Sequence, residues 1–226
     1  MVDLSLILPV HNEATIIGSV LRETLRVIKK TVRSYECILV ENGSTDNTLE
    51  VVSGLAKRFE HTRVVTAPKG YGSAVLAGLT AARGTYVCYM PSDGQIDLAV
   101  IPKLWRLMQT GDWDVVKVRR VTRESWDRRV TSSLFSWIVS ILFHVPRLDV
   151  NGSPRILRRG DMIKLRLHHT DSFIDTEFAV KGTALGWNIK EIPMRTLPRR
   201  GGVSTRSWRT FWEFIKNIYM FRRYHL

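Results

Sequence analysis

Five short apolar runs separated by helical patterns constrain this chain most. Leu4 to Val10, Glu36 to Val40, Arg63 to Thr66, Tyr86 to Met90 and Asp114 to Val118 read as strands, with amphipathic segments between them. Strands alternating with helices build βαβ units, which implies an α/β fold with a mostly parallel sheet covered by helices on both faces. Such a sheet binds its ligands beyond the carboxyl ends of its strands. The chain has 226 residues, enough for one such domain with a full core.

The segments that follow the strands are unusual. His11-Asn12-Glu13 follows the first and Glu41-Asn42-Gly43-Ser44-Thr45-Asp46 the second. Pro68-Lys69-Gly70-Tyr71-Gly72 follows the third and Ser92-Asp93-Gly94-Gln95 the fourth. Any one of these could be a turn or a helix cap. Four of them on one sheet edge point to a ligand site.

Composition narrows the ligand. There are 34 Lys and Arg against 21 Asp and Glu, a net charge of +13, which favours phosphorylated substrates, anionic lipid surfaces or nucleic acid. No nucleic-acid motif accompanies the charge, and a nucleic-acid module would leave the strand-end clusters unexplained. Cys37 and Cys88 both lie in apolar runs, so neither a disulfide framework nor a cysteine metal site is expected, and a reducing compartment fits. The chain opens directly on an apolar strand pattern without a signal-peptide pattern, and no run of about 18 apolar residues is present, so a cytoplasmic protein with peripheral membrane contact is expected.

Beyond residue 120 the pattern changes to clustered arginines and apolar helices. Leu134, Phe135, Trp137, Ile138, Ile141, Leu142 and Phe143 form one apolar segment, within a helix expected near 126–145. From 206 to 226, Phe211, Trp212, Phe214, Ile215, Ile218, Tyr219 and Phe221 interleave with Arg209, Lys216, Arg222 and Arg223. Both read either as amphipathic membrane-interface helices or as core or oligomer helices. The expected layout is a catalytic domain over 1–205 and a basic-aromatic helix over 206–226.

Together ILPVHNE at 7–13, VENGSTDNT at 40–48, KGYGSA at 69–74 and MPSDGQ at 90–95 resemble the inverting family 2 glycosyltransferases, in particular dolichyl-phosphate mannose synthases and related polyprenyl-phosphate glycosyltransferases. NGSPRILRR at 151–159, DTEFAVKGTALGWNIKEIPM at 175–194 and RRGGVS at 199–204 extend the likeness over nearly the whole chain. The resemblance implies a Rossmann-like GT-A fold and transfer of one hexose, from GDP-mannose or next UDP-glucose, to a lipid-linked phosphate. The alternatives within the fold are a transferase acting on a sugar hydroxyl and a catalytically impaired scaffold.

The resemblance also assigns residues. Pro9, His11, Asn12, Glu13, Glu41, Gly43, Ser44, Lys69, Gly70, Gly72, Ser92 and Asp93 would line the nucleotide-sugar pocket. The glycine pair would let backbone approach the nucleotide. Asp93 and Gln95 would hold Mg²⁺ or Mn²⁺, although Pro91 and Glu41-Asn42 stand where the family has aspartates. Arg119, Arg120, Arg128, Arg129, Asp149, Asn151, Arg155, Arg199 and Ser204 would take donor or acceptor phosphate, with Arg199 favoured by the Arg-x-x-Gly-x-Ser spacing. Asp93, Arg199, Asp175 and Glu177 are the catalytic candidates, and Asp175 and Glu177 read equally well as ion-pair partners of Arg155 or Lys181. The expected partners are a nucleotide-sugar donor, a lipid-linked phosphate, a membrane surface and a small membrane-anchoring subunit, with no nucleic acid.

Overall fold

The structure, a computed structural model, describes residues 2–122, 137–146, 148–201, 217–218 and 221. Arg128, Arg129 and Ser204 lie outside the described residues, as do the whole segment 126–136 and most of the segment 206–226. The boundary placed at residue 205 falls there as well.

Seven strands form one sheet: β1 (Leu4–Val10), β2 (Tyr35–Glu41), β3 (Thr62–Thr66), β4 (Tyr86–Tyr89), β5 (Val115–Thr122), β6 (Arg155–Arg158) and β7 (Ile189–Arg195). Their order is β3-β2-β1-β4-β6-β5-β7. Only β6 runs against the rest, pairing antiparallel with β4 and with β5. Helices α1 (Ile17–Thr31), α2 (Thr48–Arg58), α3 (Tyr71–Ala81) and α4 (Val100–Thr110) connect the first five strands. Residues 137–143 form a helical segment, α5, followed by α6 (Arg159–Lys164) and α7 (Ile174–Ala184).

Alternation along each strand sends side chains to two cores. Leu4, Leu6, Leu8 and Val10 of β1 join Ile17, Leu21 and Ile28 of α1 and Leu104 and Met108 of α4 in the first. Ile7, between them, faces the second with Ile38, Val75, Ile174 and Phe178. Both β1 and β2 are buried along their full length, as expected of central parallel strands. In α1 the buried positions Ile17, Val20, Leu21, Thr24, Leu25 and Ile28 recur at helical spacing, and Lys29 and Lys30 complement the carbonyl end of the helix dipole. Helix α3 lies closer to the sheet: a side chain at Gly78 would put its Cβ 2.3 Å from Ile7 Cγ2.

A third cluster forms outside α7, where Val139 and Phe143 of α5 pack with Phe173, Ala179, Val180 and Phe221. This packing answers part of the sequence reading of the apolar segment: its inner face is core. Its outer face keeps Trp137 49% and Ile141 53% exposed. No helix among the described residues is long and apolar enough to cross a membrane.

Candidate active site

The loops leaving β1, β2 and β4 meet at the carboxyl edge of the sheet, joined by the stretch after β7. In the loop after β1, Asn12 takes a left-handed conformation with φ 54°. Its side chain fixes the turn after β2 by accepting from Thr45 N at 2.7 Å and donating to Thr45 Oγ1 at 3.2 Å. Ser44 Oγ accepts from Asn12 N at 3.0 Å, and His11 Nδ1 lies 3.1 Å from the Asn42 carbonyl. Glu41, buried at the end of β2, accepts from Ser44 N at 2.6 Å. Gly43 turns with φ 69°, and a Cβ there would meet Lys69 Cβ at 3.1 Å, so this glycine admits the exposed Lys69.

Pro9, Glu13 and Ser92 form the tightest part of the site. Ser92 Oγ lies 2.5 Å from the Pro9 carbonyl and also bonds the Glu13 carboxyl. A hydroxyl carries one proton, so both contacts are satisfied together when Glu13 is protonated and donates to Ser92 Oγ. Glu13 is suited to that state. Burial drives its pKa up to about 7; a hydrogen bond that Ser92 donates to the ionised carboxylate pulls downward, Asp93 adds to the rise and Arg199 opposes it.

Asp93, 6% exposed, follows directly. Its Oδ1 accepts from Gln95 N at 3.1 Å, and its Oδ2 pairs with Arg199 at 2.9 Å. Arg199 is held near by backbone bonds: Leu197 N donates to Gln95 O at 2.9 Å and Arg200 N to Asp93 O at 3.2 Å. Gln95 Nε2 donates to Leu197 O at 3.4 Å. Gly94 turns with φ 77°, and a side chain there would run into Arg200. The structure therefore brings Arg199 to Asp93 and Gln95, about a hundred residues earlier in the sequence.

The oxygen-only donor set of Asp93 and Gln95 suits a hard divalent ion, and the outer oxygen of Asp93 already faces a cation in the Arg199 guanidinium. Pro91 adds no donor.

Other expected site residues lie elsewhere, in two groups of mutual contacts. Arg120 grips Asp149 with Nε at 2.8 Å and Nη2 at 2.7 Å, while Lys117, buried, donates to the Asp149 carbonyl at 2.6 Å and pairs with Glu191 at 3.4 Å. Arg155 is completely buried, pairs with Asp175 at 3.0 Å and stacks over Tyr89 and Phe178. Burial alone would raise the Asp149 pKa, but the hydrogen bonds and charge of Arg120, with Lys117, hold it down at about 2. Lys117 is lowered to about 8, first by burial and then by Arg155.

Glu177 is the centre of the second group. It accepts from His168 N and His169 N, from His169 Nδ1 at 2.9 Å and from Lys181 Nζ at 2.6 Å, and His168 Nδ1 lies 2.6 Å away. These donors outweigh the burial that would raise its pKa and bring it to about 2. Two histidines and a carboxylate converge here as metal ligands would, but Lys181 already supplies the positive charge. The histidine half of this clasp was missed in the sequence, where His168-His169 just before α7 is its signal.

These placements show what surrounds several of the expected site residues. Asp175 and Glu177 are locked into ion pairs with Arg155 and Lys181, the pairing that the sequence left open beside a catalytic role. Arg155 cannot reach an acceptor phosphate from its buried position, and Arg120 and Asp149 are spent on each other. Gly70 and Gly72 do admit close backbone, but it is the chain's own: a Cβ at Gly70 would sit 2.5 Å from Thr170 O, and one at Gly72 2.3 Å from His169 O. Ser73 N, in the first turn of α3, donates to Thr170 O at 2.9 Å. Arg119 stays exposed within β5, and Asn151 is half-buried.

A family model, Glycosyl transferase family 2, matches residues 5–164. The chain belongs to this family. It is 33% identical over 174 residues to an uncharacterized glycosyltransferase of Mycobacterium tuberculosis, covering 75% of this chain and 77% of the other. It is 29% identical over 206 residues to the undecaprenyl-phosphate 4-deoxy-4-formamido-L-arabinose transferase of Edwardsiella ictaluri, covering 88% of this chain but 62% of that longer protein. Among solved structures it superposes on glucosyl-3-phosphoglycerate synthase from Mycobacterium tuberculosis in complex with Mn²⁺, UDP and phosphoglyceric acid, with TM-score 0.74 and 20% identity, over 98% of this chain and 78% of that one. That likeness is one of fold, the GT-A arrangement. The protein is thus a family 2 glycosyltransferase.

Proposed function

We propose that this glycosyltransferase moves one hexose from a nucleotide-sugar, GDP-mannose before UDP-glucose, onto a polyprenyl phosphate with inversion at the anomeric carbon. One observation carries the choice of acceptor. A hydroxyl acceptor needs a general base, and Asp175 and Glu177, the two carboxylates expected to serve as one, are tied into ion pairs. A phosphate monoester is already anionic near neutral pH and needs no base. The undecaprenyl-phosphate relative, alike over 88% of this chain, supports the same acceptor class.

In this reading an acceptor phosphate oxygen attacks the anomeric carbon as the bond to the nucleoside diphosphate breaks. The negative charge that grows on the leaving diphosphate is met by Arg199, already at the strand edge, while Asn12, Ser44 and Glu41 shape the nucleotide pocket. Mg²⁺ or Mn²⁺, held by Asp93 and Gln95, would supply electrostatic stabilisation of that diphosphate, as the Mn²⁺ and UDP of the structural neighbour suggest. Exposed Arg119 offers a positive charge for the acceptor. The apolar outer face of α5, with Trp137 and Ile141, suits contact with a membrane surface from the cytoplasmic side, and a separate anchoring subunit is compatible with it.

The test is transfer from labelled GDP-mannose and UDP-glucose to polyprenyl phosphate in detergent, with Mg²⁺ or Mn²⁺ and with chelator. Label from one donor should enter the organic phase, and chelator should abolish it. Label on a soluble sugar acceptor with none in lipid would overturn the acceptor assignment.

A further inference from the structure

The face of the sheet opposite α5 and α7 carries a feature that sugar transfer does not use. Helices α1 and α4 flank a groove of about 610 Å³ lined by Arg26, Lys30, Lys103 and Arg106, with Val27, Pro102 and Trp105 along its apolar floor. All four cations are exposed, two on each wall. No carboxylate among the described residues pairs with any of them. The acids flanking them in sequence are engaged elsewhere: Glu23 bonds Arg200 at 2.8 Å, and Asp97 accepts from Ala99 N at 3.1 Å. The floor is fixed, since Trp105 packs edge-on against Tyr86 with ring centroids 5.3 Å apart.

Four like charges gathered on the α1 and α4 walls repel one another, and an anionic occupant relieves that repulsion. Their arrangement selects the occupant. Arg26 and Lys30 are four residues apart and Lys103 and Arg106 three, so each pair is spaced about 5–6 Å along its helix. The charge is spread along two rims, which suits a linear row of carboxylates better than a single phosphate. Val27 and Trp105 are half-buried between the exposed cations, so a planar bilayer would meet the cations before it reached them. The exposed Trp137 and Ile141, moreover, lie on the other side of the sheet. We infer that the α1–α4 groove is the docking site for an acidic amphipathic helix of a partner protein, its apolar ridge on Trp105 and Val27 and its carboxylates on the four cations.

The probe is a stapled peptide of about 18 residues, long enough to hold a helix, with leucines along one stripe and glutamates on its flanks, compared with a scramble of equal composition. Binding to the full chain is followed by fluorescence anisotropy. The patterned peptide should bind at least about tenfold more tightly than its scramble. Arg26→Glu, Lys30→Glu, Lys103→Glu and Arg106→Glu together should remove that binding. Ala99→Trp, which fills the groove without changing charge, should weaken it by about tenfold or more, while Lys57→Glu with Arg58→Glu on α2 should leave it intact. Thermal unfolding of each variant confirms that the fold is retained. Equal binding of the scramble, or an equal loss from the α2 substitutions, overturns the proposal. So does tighter binding of phosphatidylglycerol vesicles or single-stranded DNA through the same four side chains, which would reassign the groove to a membrane or to nucleic acid.

Discussion

Two sets of buried carboxylates in this domain are displaced in opposite directions. At the β1–β4 edge Glu13 is held up at about 7, with a hydroxyl and a second acid as neighbours. Beside β5, β6 and α7, Asp149 and Glu177 are held down at about 2 by Arg120 in one case and by His169 and Lys181 in the other. The second set is charge-matched and closed, which is how a fold ties strands and loops together. The first is under-compensated, which is how a site keeps affinity for an incoming cation or proton. The same residue types thus do structural work on one side and stay available on the other, and the partner groups decide which.

The comparison breaks most visibly if the closed set proves dispensable. Arg155→Met strands Asp175 in a buried position, and loss of one member of a buried pair costs about 3–5 kcal/mol. Urea unfolding should show that loss, and Arg155→Met combined with Asp175→Leu should recover much of it. A single substitution that leaves the unfolding midpoint unchanged would mean that the pair does not hold β6 to α7.

The open set should behave conversely. Asp93→Asn and Arg199→Ala are expected to lower kcat by about a hundredfold, near 3 kcal/mol of transition-state stabilisation, with little change in thermal midpoint. Sugar-transfer kinetics beside calorimetry separates the two effects. Equal losses of stability and rate would place this ion pair with the structural set.

The two sets also predict opposite pH dependences. Glu13 binds its proton more tightly folded than unfolded, so its contribution to stability is present at pH 4.5 and is lost as pH rises towards 7, roughly 3 kcal/mol at most. Asp149 and Glu177 have depressed pKa values, so their contribution is present at neutral pH and is lost as pH falls from about 4.5 towards 2. Stability should therefore peak in mildly acidic buffer. Glu13→Gln should flatten the alkaline side and leave the acid side as it was; an unchanged alkaline limb in denaturation curves would remove Glu13 from the account.

The sequence was informative where signals are local. The five strands β1 to β5 and the strand-end clusters follow from apolar runs and from glycine and polar punctuation. Strand β6 is short and holds the buried Arg155, and β7 carries Lys190, Glu191 and Pro193 and is only partly buried, so neither shows a strand's apolar pattern. Ion pairing of Asp175 and Glu177 with Arg155 or Lys181 was legible from opposite charge as one of two readings, and the four-residue spacing on α7 singles out Lys181 for Glu177. Contacts between distant residues were not legible. Nothing local to Gly72 says that backbone from His169 will cover it, and Ser92 gives no sign that Glu13 will share its hydroxyl.

The smallest effect is expected where the two regions' logic is absent altogether. Glu23 and Arg200 meet at 2.8 Å, but both side chains are about 40% exposed, and pairs of that kind contribute roughly 0–1 kcal/mol and are screened by salt. Arg200 is also held through its backbone N–H to Asp93 O, a bond that replacing Glu23 leaves untouched. Glu23→Gln should accordingly shift stability by under about 1 kcal/mol, with the difference vanishing in high salt, and should change KM by less than about twofold. A loss of rate approaching that of Asp93→Asn would show that the surface pair, and not the backbone bonds to the β4 loop, brings Arg199 to the site. The line between the open and the closed carboxylates would then have to be drawn through α1.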